Sequence, residues 1–232
     1  MTEVRVTLPG EVLLEGVLHL PAHGEPAGGV AVCHPHPEQG GDMENALVVA
    51  IARAVQARGL AALRFNFCGV GRSGGPHCGG REEPADVGAA LTYLAGRIGT
   101  GKPLGLAGYS FGAVMAMAYA AGEAGAVAPG LRALAVVGLP LRMPELGLVD
   151  PSRLAGRDLP LLGVCGTEDH LCVLEELRGF FARLGGRARV VSVPGADHGY
   201  WGFHEAVARV VADFLAAALL GKSLPDVREI LY

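Results

Sequence analysis

Short apolar runs alternate with longer helical patterns along most of the chain. Uninterrupted apolar runs are typical of strands buried on both faces of a parallel sheet, whereas residues 3–20 alternate like two strands joined at Pro9-Gly10. The other predicted strands are Gly29–Cys33, Leu60–Phe67, Pro103–Gly108, Leu131–Gly138, Leu159–Gly166 and Arg189–Val193. The predicted helices are Met43–Arg58, Pro84–Arg97, Ser110–Ala121, Val173–Leu184 and Phe203–Leu220. This order predicts an α/β fold, with one domain over residues 1–232 and an eight-stranded, mostly parallel sheet covered by helices on both faces.

Composition and charge exclude several classes of protein. Hydrophobic residues make up 50% of the 232 residues and charged residues 18%, so the chain is too apolar to remain disordered. The net charge of −4 provides no positive field for a phosphate backbone, so we expect no nucleic-acid partner. The five cysteines lack regular spacing and the N-terminus lacks a secretory pattern, so we expect a reducing, cytoplasmic location.

The run from Pro103 to Gly122 contains no charge and is long enough to cross a membrane. Its internal glycines, and its change from a strand pattern to a helix pattern, favour a buried strand, a turn and a buried helix instead. We therefore expect no membrane association. The later segment Leu139–Asp158 is short and rich in Pro, Leu and Arg, so it predicts a small flap and no large lid.

A G-x-S-x-G sequence, Gly108-Tyr109-Ser110-Phe111-Gly112, stands at the junction of the predicted strand and helix. This motif places a serine on a sharp, strained turn that projects its hydroxyl away from the backbone, and the residues two before and two after must be small. The helix N-terminus behind the serine offers free N–H groups, so the N–H of Phe111 can face a developing oxyanion. A chance match is the alternative in a chain with 36 glycines, but the position between strand and helix favours Ser110 as a nucleophile.

A serine hydroxyl needs a base to remove its proton and an acid to orient that base, and this motif predicts the chain order serine, acid, histidine. Asp169 follows the predicted strand Leu159–Gly166, and His198 follows the last predicted strand. Both fall at the carboxyl edge of the sheet, where Ser110 also lies, so we predict Asp169 as the acid and His198 as the base. The alternatives that remain open are Glu168, Asp197, His170 and His204.

With these motifs in this order, the sequence resembles the α/β-hydrolase superfamily, and within it small bacterial serine hydrolases with an H-P-H-P-x-x-G-G loop. The motifs behind the resemblance are Cys33-His34-Pro35-His36-Pro37, Gly40-Gly41, Arg64-Phe65-Asn66-Phe67, Gly69-Val70-Gly71-Arg72-Ser73-Gly74, the corner at Ser110 and Gly195-Ala196-Asp197-His198. The resemblance implies the α/β-hydrolase fold and the triad Ser110, Asp169 and His198. Dienelactone hydrolases are relatives with a cysteine at the corner, and the serine argues against their chemistry here. The chain departs from the subgroup at Cys68 and around Pro76–Gly80.

The H-P-H-P loop suggests a second oxyanion donor. Pro35 and Pro37 have no N–H, so His36 alone between them can donate a backbone hydrogen bond. In the superfamily the second donor comes from the loop after this strand, and we predict that the N–H groups of His36 and Phe111 form the oxyanion hole. A competing interpretation is a metal site at Cys33, His34 and His36. We do not favour it, because no second cluster of ligands at metal-binding spacing appears, and we expect neither metal nor cofactor.

The segment Gly69–Gly74 also matches the G-x-G-x-x-G pattern of dinucleotide-binding proteins. That interpretation needs the third glycine to open a helix. Gly75, Pro76, Gly79 and Gly80 follow instead and would break a helix, so we interpret the segment as a loop.

Together these features predict an ester hydrolase that acts through an acyl-enzyme on a small-molecule ester. Tyr109, Tyr200 and Trp201, with Phe111, are the candidate substrate-pocket residues. Thioester, amide and peptide substrates remain open, and so does a non-catalytic binding protein on the same fold. A homo-oligomer formed through the C-terminal tail is also open, although we favour packing of the tail on its own domain. The apolar residues of that tail are Leu224, Val227, Ile230, Leu231 and Tyr232.

Overall fold

The computed structural model describes residues 2–184, 188–226, 228 and 229, and the centre of the fold is an eight-stranded sheet. The strands are β1 (Thr2–Leu8), β2 (Leu14–Leu20), β3 (Gly29–Cys33), β4 (Ala61–Phe65), β5 (Leu104–Tyr109), β6 (Leu131–Val137), β7 (Leu161–Gly166) and β8 (Ala188–Val193). Their order across the sheet is β1-β2-β4-β3-β5-β6-β7-β8. The β1–β2 and β2–β4 pairs are antiparallel, and the pairs from β4–β3 to β7–β8 are parallel. The predicted mostly parallel sheet is confirmed.

Helices cover both faces of this sheet, as predicted. They are α1 (Ala46–Gln56), α2 (Glu83–Ile98), α3 (Phe111–Ala120), α4 (Ser152–Ala155), α5 (Leu174–Ala182) and α6 (His204–Leu219). Side chains of α2, α3 and α5 belong to one buried apolar cluster, and those of α1 and α6 to a second. Because successive strand residues point to opposite faces, Leu63 of β4 enters the first cluster and its neighbour Ala62 the second. The single-domain organisation expected over residues 1–232 stays a prediction.

The uncharged run is a buried strand followed by a buried helix, because every residue of β5 and of α3 is buried. Within residues 2–184, 188–226 and 228–229, no helix is long and apolar enough to cross a membrane. The segment between β6 and β7 contains only a 3₁₀ turn, Pro144–Leu146, and the four-residue helix α4, so the absence of a large lid is confirmed there.

The C-terminal tail returns to the edge of the sheet. The N–H of Ser192 in β8 donates to the carbonyl oxygen of Arg228 at 3.0 Å, and Ser192 forms a parallel bridge with Glu229. Leu224 packs against the second apolar cluster. The described part of the tail therefore lies on its own sheet, which is the arrangement we favoured. The remaining apolar tail residues, Val227, Ile230, Leu231 and Tyr232, lie outside the described residues.

The beginning of α1 differs from the predicted helix Met43–Arg58, and a side-chain cap explains the difference. The Oδ1 atom of Asn45 accepts hydrogen bonds from the N–H groups of Leu47 at 3.1 Å and Val48 at 3.5 Å. These two groups have no carbonyl partner in the first turn, so the cap starts the helix at Ala46.

Replacing Asn45 by alanine removes this acceptor and is expected to lower the free energy of unfolding by about 1 kcal/mol. Urea denaturation of Asn45→Ala and Asn45→Asp measures the effect, because aspartate keeps an oxygen in the capping position. We expect the aspartate variant to unfold close to the wild type. Identical stability of the alanine variant and the wild type would show that the cap is dispensable.

Candidate active site

Ser110 occupies a strained corner between β5 and α3. Its φ of 55° and ψ of −119° place a residue with a side chain in backbone space that favours glycine. The N–H of Ser110 donates to Val137 of β6 at 2.9 Å, and its carbonyl accepts the N–H of Ala113 in α3 at 2.9 Å. The corner is thus tied both to the sheet and to the helix, and the serine is presented at the carboxyl edge of the strands.

The two glycines of the G-x-S-x-G motif are required by close backbone approach. A Cβ atom on Gly108 would lie 2.2 Å from the carbonyl oxygen of Gly112. A Cβ on Gly112 would lie 2.4 Å from the carbonyl oxygen of Cys33 and 2.6 Å from that of His34, at the end of β3. The missing side chain at Gly108 allows the sharp turn. The missing side chain at Gly112 allows the start of α3 to lie against the H-P-H-P loop.

His198 lies within hydrogen-bonding distance of both predicted partners. Its Nε2 atom is 2.8 Å from Ser110 Oγ, and its Nδ1 atom is 2.8 Å from Asp169 Oδ2. Asp169 is buried in the loop after β7, and its other oxygen, Oδ1, accepts the N–H groups of Leu171 and Cys172, each at 2.9 Å. An ionised Asp169 accepts a hydrogen from Nδ1, which leaves Nε2 as the acceptor for the serine hydroxyl.

The four alternative residues have other positions. Glu168 and His170 are exposed on either side of Asp169. Asp197 accepts the N–H of Gly199 at 2.9 Å, and His204 Nε2 lies 3.0 Å from the Gly199 carbonyl oxygen. The structure therefore brings Asp169, rather than these neighbours, to the ring of His198.

Tyr109 and Tyr200, two of the predicted pocket residues, are both buried beside the loop that carries His198. The Tyr109 hydroxyl donates to the carbonyl oxygen of His198 at 2.7 Å. Burial raises the pKa of Tyr109 to about 12, and the nearby Asp169 and Asp197 charges add to it, so the hydroxyl keeps its hydrogen. Tyr200 is fully buried, and its hydroxyl lies 3.2 Å from both the Val164 carbonyl and the Gly166 N–H. Its left-handed φ of 53° follows from this anchored position.

Trp201, the third predicted pocket residue, lies on the surface with 74% of its area exposed. Its indole covers Gly199, because a Cβ on that glycine would lie 2.5 Å from Trp201 Nε1. The ring also meets His204 edge to face at 5.5 Å between centroids. Trp201 therefore presents an apolar surface directly above the loop that holds His198.

The side chains of His36 and Phe111, the two predicted oxyanion donors, lie next to each other. Their rings are 5.1 Å apart, and His36 turns its carbonyl into its own loop, where it accepts the N–H groups of Gln39 and Gly41. Within the described chain, neither the His36 N–H nor the Phe111 N–H donates to a protein acceptor. A Cβ on Gly41 would lie 2.2 Å from the Pro35 carbonyl oxygen, so only glycine allows this compact turn.

His34, part of the alternative metal site, has both ring nitrogens occupied by the protein. Nδ1 donates to the Pro35 carbonyl at 2.7 Å, and Nε2 accepts the Phe67 N–H at 3.1 Å. Burial lowers the pKa of His34 to about 4, so the ring is neutral. Among the residues that the structure describes, no group of three or more His, Cys, Asp or Glu side chains is arranged to hold a metal.

The G-x-G-x-x-G segment is a loop held by internal hydrogen bonds. Glu15 Oε1 accepts Asn66 Nδ2 at 2.6 Å and the Arg72 N–H at 3.0 Å. Ser73 Oγ donates to the Asn66 carbonyl at 2.8 Å. No helix starts at Gly74, since α2 begins at Glu83. The interpretation of this segment as a loop is confirmed.

Gly138, at the end of β6, was not among the predicted site residues. It has a φ of 56°, and a Cβ there would lie 3.2 Å from His198 Cε1 and 3.3 Å from Nδ1. The imidazole therefore rests against bare backbone. A glycine at the carboxyl end of a predicted strand is the signal that could have identified it, because that edge holds the site.

The family model that matches this chain is that of the alpha/beta hydrolase domain, over residues 32–210. A serine hydrolase homologue from Coxiella burnetii is 28% identical and has a TM-score of 0.78, with 91% of this chain and 97% of that chain covered. A putative alpha/beta hydrolase from Agrobacterium tumefaciens is also 28% identical with a TM-score of 0.78, covering 97% of this chain and 100% of that one. A lidless serine hydrolase from Xanthomonas campestris shares the fold at 24% identity and a TM-score of 0.78, covering 98% of this chain and 97% of that one.

The fold and these similarities define a hydrolase. The chain belongs to the alpha/beta hydrolase domain family.

Replacing Gly138 by alanine should displace the His198 ring from Ser110. We expect a fluorophosphonate probe to label Ser110 at least about tenfold more slowly, because small misplacements of a reacting group have large kinetic effects. Gly147→Ala is the matched control: Gly147 has a similar φ of 70°, but a Cβ there meets nothing within 4 Å. If labelling of Ser110 is slowed equally in both variants, the cause is backbone strain and not contact of the new side chain with His198.

Proposed function

We propose that the protein is a serine hydrolase that cleaves small carboxylic esters through an acyl-enzyme. The observation that supports this most directly is the chain of two 2.8 Å contacts from Ser110 through His198 to Asp169. A hydroxyl that contacts an imidazole, which in turn contacts a buried carboxylate, is the general arrangement that activates serine for attack on a carbonyl carbon.

In the first half of the reaction, His198 Nε2 takes the proton of Ser110 as Oγ attacks the ester carbonyl. The resulting imidazolium is stabilised by Asp169, which stays ionised. The tetrahedral intermediate then expels the alcohol, which receives the proton from Nε2. In the second half, His198 removes a proton from water, which attacks the acyl-enzyme and releases the carboxylic acid and the free serine.

The N–H groups of His36 and Phe111 stabilise the negative oxygen of the tetrahedral intermediate. Within the described chain neither N–H donates to a protein acceptor, which supports their availability to the substrate. Each such donor contributes roughly 3–4 kcal/mol to the stability of the transition state. The positive end of the α3 dipole, which starts at Phe111, favours the same negative charge.

Small or short-acyl esters fit the open architecture best. The flap between β6 and β7 is held to the body, because the Arg142 N–H donates to the Leu171 carbonyl at 3.2 Å and its guanidinium binds Glu176 at 2.7 Å. A short segment of this kind favours an accessible site over one enclosed by a large lid. The exposed indole of Trp201 offers an apolar surface beside His198 for the leaving group.

The same proposal covers the setting in which the protein works. All five cysteines are free thiols, which suits a reducing, cytoplasmic location. The partner is a small-molecule ester, without a role for nucleic acid or a membrane. A homo-oligomer formed through the C-terminal tail would be compatible with this activity and is tested by measuring size at several concentrations.

Ser110→Ala should abolish turnover of short nitrophenyl esters, with a loss in kcat of at least ~10³-fold, because the nucleophile is removed. A panel of nitrophenyl esters and thioesters with graded acyl length measures this on the wild type and the variant. Ser152→Ala, which alters an exposed serine in α4, is the control and should keep full activity. Equal turnover by wild type and Ser110→Ala would refute the proposal and favour a binding protein.

The variant Asp169→Asn tests whether Asp169, and not a neighbouring carboxylate, orients His198. Oδ1 already accepts two backbone N–H groups, so the asparagine oxygen should take that place and turn its NH₂ toward His198 Nδ1. The ring is then forced into the tautomer that carries its hydrogen on Nε2 and cannot accept the serine proton. We expect kcat to fall by roughly 10³–10⁴-fold.

The control for this variant is Asp197→Asn, which keeps an oxygen for the Gly199 N–H. Its kcat should stay within about threefold of wild type, because Asp197 is exposed and does not contact the His198 ring, and asparagine keeps the oxygen that accepts the Gly199 N–H. A larger loss in Asp197→Asn than in Asp169→Asn would show that Asp169 is not the acid and would contradict our proposal.

A further inference from the structure

A second histidine–carboxylate pair lies beside the H-P-H-P loop that carries His36. It consists of His77, in the loop between β4 and α2, and Glu83, the first residue of α2. His77 Nδ1 is 2.6 Å from Glu83 Oε1, which is an ion-pair contact without hydrogen-bond geometry, and within the described residues both ring nitrogens of His77 are buried without a hydrogen-bond partner. Neither residue takes part in the Ser110–His198–Asp169 chain, and His77 lies in the segment Pro76–Gly80, where the sequence departs from the H-P-H-P subgroup.

His77 contacts the side chains of both proposed oxyanion donors. Its ring meets that of His36 edge to face at 5.5 Å between centroids, and that of Phe111 edge to face at 5.5 Å. The three rings form a cluster, since those of His36 and Phe111 are 5.1 Å apart. A displacement of His77 would therefore loosen the two residues whose N–H groups must point to one oxygen.

Glu83 binds the backbone of the loop between β4 and α2. Its side chain is fully buried, Oε1 accepts the N–H of Cys78 at 2.7 Å, and Oε2 accepts the N–H of Gly80 at 2.9 Å. A buried carboxylate is stable only when it is paired in this way, and its place in the first turn of α2 adds the favourable helix dipole. Both carboxylate oxygens thus accept backbone hydrogen bonds from the loop, at Cys78 and Gly80.

The backbone of this loop is confined on both sides. A Cβ on Gly69, whose φ is 75°, would lie 2.4 Å from the His77 nitrogen. On the other side, a Cβ on Gly80 would lie 3.1 Å from Met115 Cε and 3.6 Å from Phe111 Cε2. The loop is therefore closely packed at both positions, against its own backbone at Gly69 and against side chains of α3 at Gly80.

We propose that His77, anchored by Glu83, is a positioning residue that holds the His36 loop against Phe111 and sets the separation of the two oxyanion donors. The inference rests on the proposed function, because it concerns the geometry of the same oxyanion hole. His77 does not touch the reacting atoms. It acts through the residues that do, as the supporting shell of a preorganised site.

His77→Ala tests the proposal by steady-state kinetics on a short nitrophenyl ester. We expect kcat to fall at least about tenfold with KM within about twofold of wild type, since oxyanion donors act on the transition state and not on substrate binding. His77→Phe keeps a ring against His36 and Phe111 and should recover part of this loss. His23→Ala, which changes an exposed histidine between β2 and β3, is the matched control and should behave as wild type.

Hydrogen–deuterium exchange provides a readout that is independent of turnover. The N–H groups of Gln39, Gly40 and Gly41 donate to the carbonyls of His36 and Pro37, so their exchange reports on the turn that His77 supports. We expect these amides to exchange at least about threefold faster in His77→Ala, and His77→Phe to lie between it and the wild type.

The outcomes separate this inference from the proposed function. Unchanged kcat and unchanged exchange in His77→Ala would overturn the positioning role, and a raised KM at constant kcat would overturn it in favour of a substrate contact. A wild-type protein without ester turnover would refute the proposed function, while exchange of the His36 turn would still decide whether His77 holds the loop.

Discussion

The candidate site depends on one backbone contact, the approach of Gly112 to the end of β3. The Cα of Gly112 lies so near the carbonyls of Cys33 and His34 that a Cβ would come within 2.4 Å and 2.6 Å of their oxygens. This contact brings the first turn of α3 against the H-P-H-P loop, where the rings of Phe111 and His36 lie 5.1 Å apart. The strained corner at Ser110 is its other consequence, since the chain must reverse within one residue to bring α3 so close. The close packing of a strand end and a helix start therefore creates both the projecting hydroxyl and the adjacent donors.

The acid and the base are positioned by a separate set of contacts, which join the loops after β7 and β8. A Cβ on Gly166 would lie 2.2 Å from the Ala196 carbonyl oxygen, so the two loops touch through their backbones. The Thr167 N–H donates to Val193, and Thr167 Oγ1 accepts the Gly195 N–H at 2.9 Å. Asp169 and His198 therefore lie on loops that are bonded to each other, and the hydrogen bonds of Ser110 and Tyr109 with His198 join these loops to the corner at Ser110.

Those parts of the fold and site that depend on local pattern could be predicted from the sequence, whereas those that depend on contacts between distant loops could not. The corner at Ser110 was predictable because its glycines, apolar strand and apolar helix are contiguous. Asp169 and His198 were predictable because parallel strands bring their carboxyl ends to one edge. The burial of Tyr200 was not, since its partners Val164 and Gly166 lie on β7. The support of His36 by His77 and Glu83 was equally hidden, because it arises only when the loop after β4 folds over α3.

Two residues with side chains adopt a left-handed backbone within the described chain, Ser110 and Tyr200, and both flank His198. Each conformation costs on the order of 1–2 kcal/mol, so each must be held by contacts that outweigh it. For Ser110 the Val137 carbonyl and the first turn of α3 provide them. For Tyr200 full burial and two hydroxyl contacts to β7 provide them. Both sets of contacts include backbone groups of the central sheet, so the sheet helps to hold the two strained residues in place. A site preorganised in this way needs no lid to close over it before Ser110 and His198 are aligned.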